Sequence, residues 1–76
     1  MITVKLYGLL RIESGIRETQ IQAKTVKDVL NSLFLCQIPW TALNGCVIFV
    51  NGSRANKRRK LKDGDTVVLM SPVAGG

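Results

Sequence analysis

The sequence predicts one small α+β domain in which a single main helix packs across a sheet of four to five strands. Its 76 residues are 46% hydrophobic and 21% charged, a balance that suits one compact core and excludes an intrinsically disordered chain. Several segments alternate apolar and polar residues with the period of a β-strand. One segment between residues 25 and 35 repeats its apolar residues at helical spacing instead.

The first half of the sheet is predicted to be a hairpin. Ile2, Val4 and Leu6 alternate with polar residues, as in a strand that covers a core on one side. Turn residues follow in Glu13–Gly15, and a second alternating segment extends from Arg17 to Ala23. We therefore expect these two segments to pair.

The main helix follows the hairpin. Thr25 is predicted to cap it, and Asp28 stands three positions later, where a capping box has its acidic residue. The helix is expected to end near Leu35, before an irregular connection from Pro39 to Gly45. Its apolar positions lie on one helical face, which only the sheet is large enough to cover: Val26, Val29, Leu30 and Leu33.

Two further strands are predicted in the second half. Cys46–Val50 is short and rich in β-branched residues, and Asn51-Gly52 after it is typical of a tight hairpin turn. Asp63-Gly64 forms another turn before the last long strand, Asp65–Met70. That strand is expected to end before Pro72, which has no N–H group to donate to a sheet.

Composition disfavours several classes of site. The chain has no histidine and only two cysteines, so a structural zinc site or an iron–sulfur cluster is not expected. Cys36 and Cys46 are ten positions apart and are expected to be reduced, buried thiols of a cytoplasmic protein, with a disulfide as the alternative. No stretch resembles a membrane span or a signal peptide, and no membrane partner is expected.

The face of the sheet away from the helix is predicted to bind a partner. The inward positions of the strands are predicted to face the helix: Ile2, Val4, Leu6, Ile48, Val50, Val67 and Leu69. The outward positions then include Tyr7, Phe49, Val68 and Met70, which is an apolar set for a surface in water. The alternatives are that a loop covers this face or that the register of one strand is misjudged.

The last four residues, Val73-Ala74-Gly75-Gly76, are expected to form a flexible tail on a domain of residues 1–72. Pro72 biases Ser71 toward an extended backbone, and four residues at about 3.3 Å each reach about 13 Å. The tail is long enough to enter a pocket on another protein, although frayed chain ends are also common.

Two segments resemble the MoaD/ThiS family of sulfur carriers. The segment Leu61–Gly76 has the Gly-Asp turn, apolar strand and terminal diglycine of that family, and Leu6–Arg11 resembles the opening strand of the molybdopterin synthase small subunit. The resemblance implies a ubiquitin-like β-grasp fold with a mixed sheet. The Pro-Val-x-Gly-Gly ending favours the molybdopterin branch, whereas Ser71 departs from the proline that many of its members have there.

The resemblance also implies a function in which the chain is not an enzyme on its own. An E1-like adenylating enzyme of the MoeB/ThiF type would use ATP to activate the Gly76 carboxylate, and a sulfur donor protein would convert it to a thiocarboxylate. As the small subunit of a molybdopterin synthase, the chain would then donate sulfur in molybdopterin or tungstopterin synthesis. Gly75 would allow threading, and Val73 and Ala74 would contact the partner. In this family an apolar patch on the sheet binds both the adenylating enzyme and the synthase large subunit, and Tyr7 and Met70 match positions that carry large apolar interface residues there. No cofactor is expected on the chain itself.

Other functions fit parts of the pattern. A thiamine-pathway sulfur carrier or a ubiquitin-like modifier conjugated through Gly76 would share the diglycine ending. A basic segment, Asn56–Lys62, carries five of the eleven Lys and Arg residues and much of the net charge of +6, and it is not part of the family motif. We interpret it as a solvated turn or a docking site for an acidic partner. Nucleic acid is disfavoured because no exposed aromatic ladder is evident for stacking on bases.

Overall fold

The computed structural model describes residues 1–38 and 40–71, without the side chains of residues 40 and 42. Eight elements follow one another within these residues: β1 (Ile2–Tyr7), α1 (Leu9–Ser14), β2 (Glu18–Ile21), α2 (Val26–Leu35), α3 (Trp40–Asn44), β3 (Val47–Val50), β4 (Ser53–Ala55) and β5 (Thr66–Met70).

The strands form one five-stranded mixed sheet in the order β2-β1-β5-β3-β4. The central strands β1 and β5 are parallel, whereas β2, β3 and β4 each pair antiparallel with a neighbour. This arrangement confirms the predicted fold class. The first and last strands of the chain lie side by side at the centre of the sheet, so the core depends on contacts between residues far apart in sequence.

Helix α2 begins and packs as predicted. Asp28 N donates to Thr25 Oγ1 over 3.3 Å, and Thr25 N donates to Asp28 Oδ2 over 3.1 Å, which completes the capping box. The apolar stripe of the helix is fully buried: Val26, Val29, Leu30 and Leu33. Its burial against the sheet makes α2 the main cover of the core.

The inward residues of the strands form the other half of the core. Each predicted inward position is buried: Ile2, Val4, Leu6, Ile48, Val50, Val67 and Leu69. Full burial of one such aliphatic side chain stabilises a fold by about 1.5–3 kcal/mol. The alternation of these strands therefore identified the core face correctly.

A short helix in place of a simple turn is the first correction to the sequence prediction. Helix α1 lies between β1 and β2, which do pair antiparallel as expected. Its N-cap residue, Gly8, has no side chain to cap it, and the hydroxyl of Ser71 accepts a hydrogen bond from Leu10 N over 3.2 Å instead. Gly15 ends the helix with φ at +73°. Because the cap comes from the far end of the chain, local sequence patterns did not indicate the helix.

Other segment boundaries also differ from the prediction. The strand expected from Arg17 to Ala23 is confined to β2, and the connection expected to be irregular contains α3. The Asn51-Gly52 turn is confirmed, since both residues have positive φ angles, +51° and +86°, and it pairs Val50 with Ser53.

Both cysteines are free, as predicted, but the prediction that both are buried is wrong. Cys36 is exposed because it is the C-cap of α2, beyond the apolar stripe. Cys46 is half-buried and its Sγ donates to Leu43 O over 2.8 Å. Burial raises the pKa of the Cys46 thiol, only partly opposed by a hydrogen bond from the backbone N–H of Cys46 itself and by the positive charge of Lys57.

Candidate partner-binding face and the base of the tail

Four predicted partner-binding residues lie together on the side of the sheet away from α2. Tyr7 on β1 and Val47 on β3 are both in register with Met70 on β5, and Phe49 is in register with Val68. Side chains at paired positions of adjacent strands point to the same face and come into contact range. We call these five residues the open face: Tyr7, Val47, Phe49, Val68 and Met70.

The open face remains accessible in the part of the chain that the structure describes. Tyr7 is 39% exposed and Met70 is 43% exposed, while Val47, Phe49 and Val68 are half-buried. The observed register matches the alternation, and none of the described loops covers Tyr7 or Met70. Among the described residues, the surface therefore presents large apolar side chains to solvent.

Val47 was missed by the sequence analysis. It lies two positions before Phe49 on the same strand, so the alternation of β3 already placed it on this face.

Charged side chains border the open face on two sides. Arg54 on the edge strand β4 is in register with Phe49. On the other side, Lys5 is in register with both Val68 and Glu18. The apolar centre and charged rim have the composition of a protein–protein interface.

Ser71, the last described residue, is fixed at the end of the open face, and we call it the base of the tail. It is 7% exposed, its N–H donates to Tyr7 O over 3.4 Å, and its hydroxyl donates to the same carbonyl over 3.5 Å while accepting from Leu10 N. The residues that follow Ser71 therefore start from a defined point between β1 and α1.

Gly8 makes room for Ser71. A Cβ atom at Gly8 would lie 2.7 Å from Ser71 Oγ and 2.9 Å from Ser71 O, closer than real contacts allow, and Gly8 has φ at +69°. The backbone at Gly8 and the base of the tail thus depend on each other.

The predicted tail residues Val73, Ala74, Gly75 and Gly76, together with Pro72, lie outside the described residues. The expected boundary between a domain of residues 1–72 and a tail of residues 73–76 stays a prediction.

The shifted carboxyl groups lie away from the open face, in the turn before β5. Two hydrogen bonds to its carboxylate lower the pKa of Asp65. Lys62 N donates one over 2.8 Å, and Asn51 Nδ2 donates the other over 3.0 Å. The N-terminal ammonium group of Met1 lowers the pKa of Asp63. These carboxylates stabilise the turn and do not belong to the candidate site. Over residues 1–38 and 40–71, no cluster of three potential metal-ligating side chains occurs.

The described helices are all too short or too polar to cross a membrane.

Comparison with known proteins places the chain in a family. The model of the ThiS family matches residues 4–76. The structure is similar to a subunit in the complex of subunits 1 and 2 of molybdopterin-converting factor from Helicobacter pylori, with 27% identity, coverage of 99% of this chain and 97% of that one, and a TM-score of 0.68. It is also similar to small archaeal modifier protein 1 from Methanosarcina acetivorans, with 26% identity, coverage of 99% and 95%, and a TM-score of 0.80.

A third similar structure shows the fold alone. It is a chain of the BexX/CysO complex from Amycolatopsis orientalis, with 21% identity, complete coverage of both chains and a TM-score of 0.79. No match was found among curated protein sequences. The mixed sheet with a helix across it is the ubiquitin-like β-grasp fold, and the chain belongs to the ThiS family of ubiquitin-like sulfur carriers.

Proposed function

We propose that this protein carries sulfur as a thiocarboxylate on Gly76 and donates it in molybdopterin or tungstopterin synthesis, as the small subunit of a molybdopterin synthase. The observation that supports this most is the position of Ser71 at the end of an exposed apolar face. A partner that docks on the open face would receive the residues after Ser71 at a fixed entry point. The family match extends to Gly76 itself.

The proposed chemistry takes place at the carboxylate of Gly76. A free carboxylate is a poor electrophile, because it is already an anion and has no good leaving group. An E1-like adenylating enzyme of the MoeB/ThiF type would join it to the α-phosphate of ATP and release pyrophosphate. A sulfide equivalent from a sulfur donor protein would then displace AMP and leave sulfur on the carbonyl carbon.

The side chains of the open face indicate which steps this protein would perform and which its partner enzymes would perform. The open face consists of apolar groups and one phenol, so it supplies docking rather than acid–base chemistry. The five residues from 72 to 76 can span at most about 17 Å, and glycine at positions 75 and 76 offers the least hindrance in a narrow channel. The ATP site and the catalytic groups would belong to the partner enzymes, which hold the acyl group in place for reaction.

The choice of pathway rests on the sequence ending and on one similar structure. The Pro-Val-x-Gly-Gly ending resembles the molybdopterin branch, and the Helicobacter pylori structure with 27% identity is a complex of two molybdopterin-converting factor subunits. The synthase large subunit would therefore be the second partner of the open face.

Conjugation to other proteins is a second candidate function. It is favoured by the similarity to an archaeal modifier protein, with 26% identity and a TM-score of 0.80. It would use the same adenylate but end in an isopeptide bond to a lysine.

The test is an intact-mass measurement. The protein is incubated with a MoeB/ThiF-type adenylating enzyme from the same organism, ATP and sulfide. We expect its mass to rise by the difference between a sulfur and an oxygen atom, and the loaded protein to support molybdopterin formation when the synthase large subunit and the pterin precursor are added. A variant lacking Gly76 is the control and should not load.

Other outcomes would contradict parts of the proposal. Unchanged mass in the complete reaction would contradict sulfur loading. Loading without molybdopterin formation would contradict the pathway, as expected for a thiamine-type carrier. High-mass conjugates in a cell extract would favour the modifier function.

A further inference from the structure

The proposed function makes no use of a cluster of exposed cations beside the start of α2. The cluster comes from two segments, the residues around the N-cap of α2 and the segment after β4. We call it the basic surface, and all six of its side chains are exposed: Lys24, Lys27, Lys57, Arg58, Arg59 and Lys60.

Backbone hydrogen bonds hold the two segments together. Val26 N donates to Arg59 O over 3.0 Å, and Lys27 N donates to Lys57 O over 3.1 Å. Leu61 N donates to Lys24 O over 2.7 Å. The first amides of α2 thus find their acceptors in the basic segment. The backbone of the basic segment is therefore a fixed part of the fold, and its cations are held near one another before any partner binds.

The charge of this surface is balanced only in part within the described residues, where Asp65 is close enough to Arg59 for that cation to help lower the pKa of the carboxyl. Asp28 is the single carboxylate between Glu18 and Asp63, and its Oδ2 accepts hydrogen bonds from Lys24 N and Thr25 N, both over 3.1 Å. Over residues 1–38 and 40–71, no lysine or arginine forms an ion pair with a carboxylate. Lys57 Nζ donates to the neutral Asn44 Oδ1 over 2.6 Å. Clustered like charges repel one another, so an anionic partner would relieve that repulsion.

The basic surface extends from the end of the sheet opposite Ser71, where Lys24 lines a depression with Met1 and Ile2, to Lys57 beside Asn44, just before β3. Ser71 bonds to Tyr7 O at the end of β1, whereas the chain after the basic surface bonds back to the start of β1, where Gly64 N donates to Met1 O over 3.0 Å. The five residues of β5 that separate these ends span about 17 Å. The basic surface also lies on the α2 side of the sheet. A partner there would leave the open face free for a second one.

We propose that the basic surface binds an acidic segment of a partner protein while the open face is occupied by another. Lys57 and Arg58 separate two shallow depressions, one beside Ile48 and Asn56 and the other beside Thr25 and Lys27. An arginine beside such depressions can bind a carboxylate with two parallel hydrogen bonds. This interaction goes beyond the sulfur-carrier proposal and does not depend on it.

A protein partner fits this surface better than a nucleic acid. Binding of single strands depends on aromatic side chains that stack on bases. In the described part of the chain, Tyr7 and Phe49 lie on the open face and Phe34 lies in the last turn of α2. The basic surface itself consists of cations and small polar groups, which suit flexible carboxylate side chains.

The experiment measures binding of a fluorescent oligoglutamate peptide by anisotropy at low and at physiological salt. The test variant is Arg58→Gln/Lys60→Gln, and the matched control is Arg11→Gln/Arg17→Gln, which has the same net charge but changes cations at the other end of the sheet. Each exposed ionic contact changes affinity by about threefold, so we expect about a tenfold loss for the test variant. The control should lose less than about twofold. Both variants should keep the thermal transition, because the hydrogen bonds at the basic surface are made by the backbone.

Equal losses in the two variants would show an effect of net charge alone and overturn the proposal. So would tighter binding of a duplex RNA of equal charge that depends on Arg58 and Lys60, since the partner would then be a nucleic acid. A Met70→Gln variant, changed only on the open face and with the same net charge, should bind the peptide as well as the unaltered protein. A loss there would overturn the separation of the two surfaces.

Discussion

Both faces of the sheet carry apolar side chains, yet over residues 1–38 and 40–71 only one face is covered by other elements. Leu69 is fully buried and its neighbour Met70 is 43% exposed. Leu6 is 1% exposed and its neighbour Tyr7 is 39% exposed. Adjacent residues of the same strand thus have different tasks, since the inward one stabilises the fold and the outward one is available to a partner. Hydrophobicity alone does not distinguish them, but the alternation along the strand does.

The largest effect on stability is expected at the covered face. Leu69→Ala removes a fully buried side chain and should lower the free energy of unfolding by about 2–5 kcal/mol, because it leaves a cavity in the core. Denaturant unfolding measures this. Met70→Ala is the matched control one residue away and should change stability by less than about 1 kcal/mol. Similar losses in the two variants would show that the two faces do not differ as described.

The largest effect on partner binding is expected at the open face. Met70→Arg and Phe49→Asp each place a charge in the centre of the apolar patch, so they should weaken binding of the adenylating enzyme at least about tenfold, as loss of a central interface residue does. Calorimetric titration measures the affinity, and a thermal melt checks the fold. Collapse of the fold in either variant would mean that the faces are assigned the wrong way round.

Gly8 tests the connection between the open face and the tail. Gly8→Ala introduces a Cβ atom 2.7 Å from Ser71 Oγ at a position with φ of +69°. With ψ at −143°, Gly8 has a conformation that only glycine adopts readily, so the variant should lose about 1–3 kcal/mol of stability and load sulfur more slowly because Ser71 moves. Gly15→Ala is the control, because Gly15 has φ of +73° but no atom within 4 Å of the added Cβ. It should lose about 1–2 kcal/mol for its left-handed helical conformation and load normally. Slow loading in both variants would argue against a role for Ser71 in placing the tail.

The smallest expected effect is on the pH dependence of stability, at the turn before β5. It should not distinguish the two faces of the sheet. The folded-state pKa of Asp65 is lowered by its hydrogen bonds, so its contribution to stability is present above the unfolded-state pKa and is lost as the pH falls through the folded-state pKa. Asp65→Asn should therefore reduce the loss of stability on acidification. Urea unfolding across the acidic range measures this, with Glu13→Gln as an exposed control. If Asp65→Asn lost as much stability on acidification as the unaltered protein, the role of these hydrogen bonds would be contradicted.

Features encoded by near neighbours were predictable from the sequence. The capping box of Thr25 and Asp28 joins residues three apart, and the Asn51-Gly52 turn depends on its own two residues. Helix α1 was not predictable in this way, because Ser71 caps it from 61 residues away. The fixed backbone conformation of the basic segment was not predicted for the same reason. Its carbonyl groups accept hydrogen bonds from the first turn of α2, about thirty positions earlier.

In the candidate site, too, features set by near neighbours were predictable and features set by the fold were not. Alternation placed Tyr7, Phe49, Val68 and Met70 on one face, and the observed register brings them together. The position of Ser71 between Tyr7 and Leu10 depended on the fold, and so did the pairing of the basic segment with the start of α2.

The most direct test of the sulfur-carrier account locates the sulfur atom after loading. Cleavage after Lys62 releases residues 63–76, a peptide that contains Gly76 and no cysteine, whereas Cys36 and Cys46 remain in other peptides. The account predicts that this cysteine-free peptide gains the mass difference between sulfur and oxygen. Sulfur found only as a persulfide on the exposed Cys36, with the peptide of residues 63–76 unchanged, would contradict it.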